Sequence, residues 1–439
     1  MSPSLGEPGL GEATRVWLRV AALSFGGPAG QIAVMHRILV EEKGWVSEER
    51  FVHAMNFCML LPGPEAQQLA TYNGWLLHGT RGGLIAGGLF VLPGFLSILL
   101  LSILYVGFGD LWIVEGAFYG MKAAMLAVVV EALLRIGKRV LKNPLLKAFS
   151  ALAFLALFVF GLPFPLVILG AGLAGMVGAR LRPALFLASG PDAAAAVVLP
   201  TLWSTARTAG IWLAIWLVPM AVLLALLGPE HVFVQIGALF STAAVVTFGG
   251  AYAVLAWIAQ QAVEVHGWLS PGEMLDGLGM AETTPGPLIQ VVQFVGFLAA
   301  YRDAGALHPL LAGVAGAVLT TWVTFAPCFL WIFTGAPYVE WLRGRRALSA
   351  ALTAITAAVV GVILNLAIWF ALHIAFATVE ERAGPLGIRL LVPEGSPVQP
   401  GAVGIAFVSF LMLLVFHQGL ARTLAVAVAL GLVWRGVVV

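Results

Sequence analysis

The sequence predicts an all-α polytopic membrane protein: two inverted repeats whose broken or re-entrant half-helices meet at the bilayer midplane. Three observations predict it. Of 439 residues, 61% are hydrophobic and only 10% charged, against roughly 25% charged in a soluble domain. Apolar runs near 84–106, 111–134, 145–162, 165–179, 208–228, 309–333, 347–376, 403–416 and 418–434 each approach the roughly 20 residues of a spanning helix. One set of motifs also occurs twice at a fixed spacing.

The first observation sets the solvent. A mean hydropathy of +0.99 is more apolar surface than a soluble fold can hide, so the lipid bilayer is the partner of the outer surface. Long helical runs, without ten-residue alternating segments, exclude a β-barrel. A net charge of +2 gives no reason to expect nucleic acid. Cys58 and Cys328 sit singly in apolar stretches, which suits neither a disulfide framework nor a metal site. The eight histidines show no metal-ligand spacing. His36, His53, His266 and His308 read as interfacial residues. No metal and no cofactor is expected. Residues 1–13 lack a basic start and an apolar core and read as a cytoplasmic tail.

The repeat comes next. LSFGGPAG (23–30) matches VTFGGAYA (246–253), EEKGWVSEE (41–49) matches EVHGWLSPG (264–272), and LLPGPEAQQ (60–68) matches TTPGPLIQV (283–291). The pairs Ser24/Thr247, Trp45/Trp268 and Pro62/Pro285 are all 223 residues apart. Later the spacing grows to 234, pairing Pro93 with Pro327. The division expected is 14–180 for the N-terminal repeat, 181–230 for a linker with an unmatched transmembrane helix, and 231–439 for the C-terminal inverted repeat.

Charge decides the orientation of the copies. Arg135, Lys138, Arg139, Lys142 and Lys147 follow the fourth long element of the first copy, whereas 379–400 in the second is mixed. Arg343, Arg345 and Arg346 occupy a second-copy loop whose first-copy partner holds only Asp110. Basic loops stay in the cytoplasm, so equivalent loops lie on opposite sides. That is the inverted architecture of many secondary transporters. It sets the N-terminus in the cytoplasm and the C-terminus outside.

Four stretches break the helical pattern at matched places: 24–28, 61–64, 247–250 and 284–287. Paired glycines open backbone angles closed to other residues, and proline ends a helix. Discontinuous spanning helices would give thirteen crossings and re-entrant hairpins nine. Arg37, Lys43 and Arg50 favour a cytoplasmic loop 36–50 and therefore hairpins. Irregular backbone at membrane depth survives only where protein or a watery cavity surrounds it.

Helices that start after Pro64 and Pro287 offer free N–H groups and a positive dipole end, which together suit an anion. The candidate binding positions in the first copy are Ser24, Gly26, Gly27, Pro62, Gly63, Pro64, Glu65 and Gln67. Those in the second are Thr247, Gly249, Gly250, Thr284, Gly286 and Gln290. Gln68, Thr283 and Gln293 add donors. Arg19 and Lys122 could neutralise part of a dianion, the competing roles being interfacial snorkelling for Arg19 and a structural pair with Glu115 or Glu131 for Lys122. Glu65 and Glu282 would repel an anion when ionised and are candidates for proton coupling. Small-residue stripes at 82–88 and 170–178 suit helix packing, either internal or within a homodimer.

SFGGP after a basic amphipathic start, then GW-S and PGPEAQQ, resemble the signature of the chromate ion transporter family in its long-chain, duplicated form. The likeness runs over about 14–435. It implies chromate export across a bacterial inner membrane and chromate resistance, with sulfate as a competing anion. The second copy departs from the motif at Thr247, Ala251 and Leu288, so there the backbone alone would hold the anion. The residues themselves leave open a sulfate or other oxyanion carrier and an anion channel. An enzyme is not expected: there is no HExxH, no CxxC and no dinucleotide fingerprint after a strand.

Overall fold

In the computed structural model, the residues described are 8–438 except 26, 60, 110, 182–200, 249–250, 339–345, 377, 384–388, 394 and 396. The basic positions Arg343 and Arg345 and the acidic Asp110 lie outside them. The first copy runs α1 (Leu10–Leu23), α2 (Gly27–His36), α3 (Glu48–Cys58), α4 (Glu65–Phe108), α5 (Trp112–Val140), α6 (Pro144–Phe158) and α7 (Phe164–Leu181). The unmatched helix is α8 (Leu202–Leu227). The second copy runs α9 (Val232–Val246), α10 (Ala251–Gln260), α11 (Pro271–Thr283), α12 (Val291–Arg302), α13 (Pro309–Gly335) and α14 (Arg346–Ala375), then α15 (Pro400–Phe410) and α16 (Leu420–Val438).

Local wiring recurs at the sequence spacing. Helix α2 widens into a π-helical turn, Arg37–Glu42, and α10 into Gln261–Val265. Just beyond, the Trp45 amide donates to the Leu39 carbonyl and the Trp268 amide to Ala262. The serine of GW-S proves to be a helix cap. Ser47 accepts from the Arg50 amide at the start of α3, and Ser270 exchanges two hydrogen bonds with Glu273 at the start of α11, a capping box. Helix α4 leaves helical geometry at His78 and Gly79, where the second copy separates α12 from α13. Pro93 lies inside α4 and Pro327 inside α13.

The chain divides into two compact units. The first takes 1–103, 191–251 and 280–345, and the second 104–190, 252–279 and 346–439. In the first, Trp17, Met35, Phe51, Phe57, Phe90 and Phe333 belong to one buried core built from α1, α2, α3, α4 and α13. In the second, α14 packs against α5, α6 and α7, and α5 against α15 and α16. Small residues permit these close approaches. A Cβ on Gly120 would collide with the Ala427 carbonyl, and one on Gly175 would lie 2.6 Å from that of Ala350. Gly82, Gly83 and Gly87 likewise press against Gly74, Phe333 and Thr71, so both small-residue stripes are used inside the chain.

Among the described residues, seven helices are long and apolar enough to cross a membrane. Helix α8 turns Ile211, Leu217, Val218, Val222 and Leu226 outward and buries only Trp216, as a lipid-facing span does. The protein is a multi-pass membrane protein. One expected run folds shorter than drawn, 145–162 becoming α6 of 15 residues, whereas 403–416 starts earlier, as α15 followed by the π-helical turn Leu411–Val415. The region read as a mixed loop contains a hairpin, β1 (Glu380–Ala383) against β2 (Arg389–Val392), antiparallel.

Candidate anion site

Helix α1 ends at Ser24 and α9 at Thr247, and each hands the chain to a break. The breaks of the two copies bond to one another reciprocally. The Gly63 amide donates to the Thr247 carbonyl at 2.8 Å, and the Gly286 amide to the Ser24 carbonyl at 2.9 Å. These four residues are two repeat pairs, all within the first unit. Gly63 and Gly286 have φ of +115° and +106°, a region that side chains rarely adopt. They allow PGP to reverse and begin a helix at once.

A cavity lies where the helices start. It is lined by Pro28 and Gln31 of α2, Ala251 of α10, Gly63, Pro64, Glu65 and Ala66 at the start of α4, and Pro287, Leu288 and Ile289 at the 3₁₀ turn leading into α12. Pro28/Ala251, Pro64/Pro287, Glu65/Leu288 and Ala66/Ile289 are repeat pairs, so each copy supplies two helix N-termini. Each end carries about half a positive charge and unpaired N–H groups. The cavity has room for about one water molecule. A tetrahedral oxyanion needs the surrounding helices to move apart.

One amide side chain, Gln31, lines the cavity, and others are buried in the same unit. Gln31 donates to the Gly286 carbonyl, Gln68 to Pro62, Gln67 to the Thr71 hydroxyl, and Gln290 to Gln293 and Thr321. The side-chain oxygens of Gln31, Gln67, Gln68, Asn73 and Gln290 are buried and accept no hydrogen bond among the described residues. Buried polar atoms normally find partners. Rotating an amide by half a turn would present NH₂ instead, so Gln31 can offer a donor to an anion in the cavity.

The structure sorts the sequence candidates. Gly63, Pro64 and Glu65 line the cavity, and Ser24, Gly27, Pro62, Thr247, Thr284, Gly286, Gln67 and Gln290 belong to the same unit. Gly26, Gly249 and Gly250 lie outside the described residues. The hydroxyls of Ser24, Thr247 and Thr284 donate back to Val20, Ala243 and Ala281, and the Gly63 and Gly286 amides are spent on the partner break. The donors that remain are those of the helix starts and the Gln31 amide. Glu282 is buried near the end of α11.

Arg19 turns outward. Its guanidinium is half exposed and bonds Glu42 at 2.7 Å. Lys122 lies in the second unit and faces Asp276 at 3.5 Å. Neither acidic residue expected for Lys122 is its partner: Glu115 pairs with Arg435 and Glu131 with Arg135. Gln31 and Asp276 escaped the sequence reading. An acidic residue inside the apolar stretch 274–281 was the available signal for Asp276. Gln31 had none, since its repeat mate is Val254. His266, stacked on Trp268 at 4.3 Å between centroids, is held below the usual histidine range by partial burial.

Comparison with known proteins follows the duplication. The profile of the family described as chromate transporter matches twice, over residues 11–176 and 234–434. A chromate transport protein of Pseudomonas aeruginosa is 33% identical over 349 residues, covering 79% of this chain and 77% of its own. One from Cupriavidus metallidurans is 30% identical over 349 residues, 79% of each chain. A probable chromate transport protein of Synechococcus elongatus is 28% identical over 359 residues, 81% of this chain and 82% of its own. No solved structure matches.

Proposed function

The chain belongs to the chromate transporter family, and we propose that it is a secondary transporter, not an enzyme, that exports chromate across the bacterial inner membrane and so confers chromate resistance. One observation carries the reading: two helix starts from each copy surround a single cavity. Four such ends together supply about two positive charges, which matches a dianion. Among the described residues lining the cavity there is no arginine or lysine, whose tight pairing would slow release.

In this reading the copies are inverted, the cavity lies near the bilayer midplane, the N-terminus is cytoplasmic and the C-terminus periplasmic. The five exposed basic residues from Arg135 to Lys147 support that orientation. Backbone N–H groups and amides recognise the tetrahedral oxygens and charge of the substrate. They do not separate chromate from sulfate, so sulfate competes.

Inside-out vesicles containing the protein should take up labelled chromate saturably, faster with a membrane potential and slower with excess sulfate. Trans-stimulation by unlabelled chromate should separate a carrier from a channel. Uptake no greater than in vesicles without the protein refutes the proposal.

A further inference from the structure

The second unit buries an ion pair that the anion cavity does not use. Asp276, in the middle of α11, is 3% exposed. Tyr105, near the end of α4, donates its hydroxyl to Oδ2 at 3.0 Å. Lys122 of α5 brings its ammonium to 3.5 Å from Oδ1, beyond the roughly 2.7–2.9 Å of a charge-assisted hydrogen bond. Oδ1 accepts no hydrogen bond among the described residues. Among the described residues, the other charged group acting on it is Glu273, on the same helix, which caps its own first turn through Ser270.

A buried carboxylate with one oxygen unserved is an expensive arrangement. Packing alone does not call for it. The repeat mates of Asp276 and Lys122 are His53 and Thr356, so the duplicated chain carries this pair once. Lys122 has room to leave: its side chain is 29% exposed. Its ammonium lies over Gly272, where a Cβ would sit 3.0 Å from Nζ.

We propose that Asp276 is a proton-binding site gated by Lys122, and that its occupancy couples anion transport to proton movement. With Lys122 facing it, Asp276 stays a carboxylate and the pair is neutral. When Lys122 swings outward, Oδ1 takes a proton from a hydronium ion, which becomes water, while Tyr105 keeps Oδ2. When Lys122 returns, the O–H bond of Asp276 breaks and the proton passes to a water molecule, re-forming hydronium. No other bond changes. Glu65 and Glu282, the coupling candidates offered by the sequence, belong to the other unit.

The inference rests on the transport reading, and the experiment separates the two. The full chain is reconstituted in liposomes with the potential clamped, at a pH where chromate is dianionic. Chromate counterflow at equal pH tests transport, and net accumulation under a pH gradient tests coupling. One proton per anion changes accumulation by up to about tenfold per pH unit, because tenfold is the equilibrium equivalent of one unit. Asp276→Asn should retain counterflow and lose that response, and Lys122→Met should lose it too. The double variant removes both charges and should melt close to the unmodified protein, which excludes misfolding as the cause. Infrared difference spectra against pH should show a carboxylic-acid C=O band that Asp276→Asn abolishes. Counterflow without any pH response, a response that survives in Asp276→Asn, or absence of that band overturns the proposal. Absence of counterflow overturns the transport reading and with it the coupling.

Discussion

Pro62-Gly63-Pro64 and Pro285-Gly286-Pro287 follow one backbone course. Each glycine has positive φ, donates to the break of the other copy, and is followed two residues later by a helical turn. The side chains around them have diverged: Glu65 opens α4 where Leu288 opens the second-copy turn, and Gln31 of α2 corresponds to Val254 of α10. Duplication has kept the main-chain geometry and released the chemistry. Features shared by both copies therefore describe how an anion is held, and the differences describe what else the first copy does.

The largest effects should come from breaking the shared part. An alanine at either glycine must adopt a strained φ, a cost of about 1–3 kcal/mol. The surroundings then separate the two sites. A Cβ on Gly286 would lie 3.0 Å from the Cα and 3.2 Å from the amide nitrogen of Gly94, which are main-chain atoms, whereas one on Gly63 would meet the Gln68 side chain at 2.9 Å and Cys328 Sγ at 3.1 Å. Side chains yield more easily than backbone. Gly286→Ala should lose chromate uptake by more than about tenfold, an equilibrium-scale effect of roughly 1.4 kcal/mol, and should lower the melting temperature in detergent. Gly63→Ala should be the milder of the pair on both measurements. The reverse order would mean that the Gln68–Pro62 bond, not the main-chain approach, holds the turn.

The sequence displayed the parts of this comparison that depend on local backbone chemistry. Gly63 and Gly286, the caps Ser47 and Ser270, and Pro93 with Pro327 are each demanded by a particular main-chain geometry, so they survive in both copies and reveal the repeat. Contacts between distant segments left no such trace. The exchange of Gly63 with Thr247 and of Gly286 with Ser24 joins residues that no spacing rule pairs. Lys122 was visible as a charge in an apolar run, but its partner Asp276 lies on a half-helix of the other copy, and nearer carboxylates at Glu115 and Glu131 drew the expectation. The hairpin of β1 and β2 was hidden because its two strands, four residues each, are too short to show a clear alternation.

A smaller effect is expected where the copies differ in charge. Glu65 stands at a helix start beside the cavity, where its carboxylate competes with an incoming anion for the same positive end. Removing the charge should favour the anion by about 1 kcal/mol, the scale of a charge at a helix terminus. Glu65→Gln should thus lower the half-saturation concentration for chromate about fivefold, while Leu288→Gln in the other copy leaves it nearly unchanged. A rise in Glu65→Gln would instead make the carboxylate a positioning group for the substrate, and loss of the pH response in this variant would move proton coupling to the first unit.

The smallest effects belong to groups that the sequence nominated and the structure turns elsewhere. Ser24 and Thr247 send their hydroxyl hydrogens to carbonyls one turn back in their own helices, at 2.7 and 2.5 Å, and Arg19 is held outward by Glu42. An exposed ion pair contributes about 0–1 kcal/mol, and a hydroxyl returned to its own helix is easily spared. Ser24→Ala, Thr247→Ala and Arg19→Ala should each keep chromate uptake within about threefold, less than 1 kcal/mol on the equilibrium scale. The serine and threonine variants sharpen the comparison between copies. If Ser24→Ala abolishes uptake while Thr247→Ala does not, the first-copy hydroxyl must leave Val20 and meet the anion during transport, and the two breaks differ in mechanism as well as in side chains. If both abolish it with the fold intact, the anion is held by hydroxyls from each copy, and the helix starts are not sufficient to bind it.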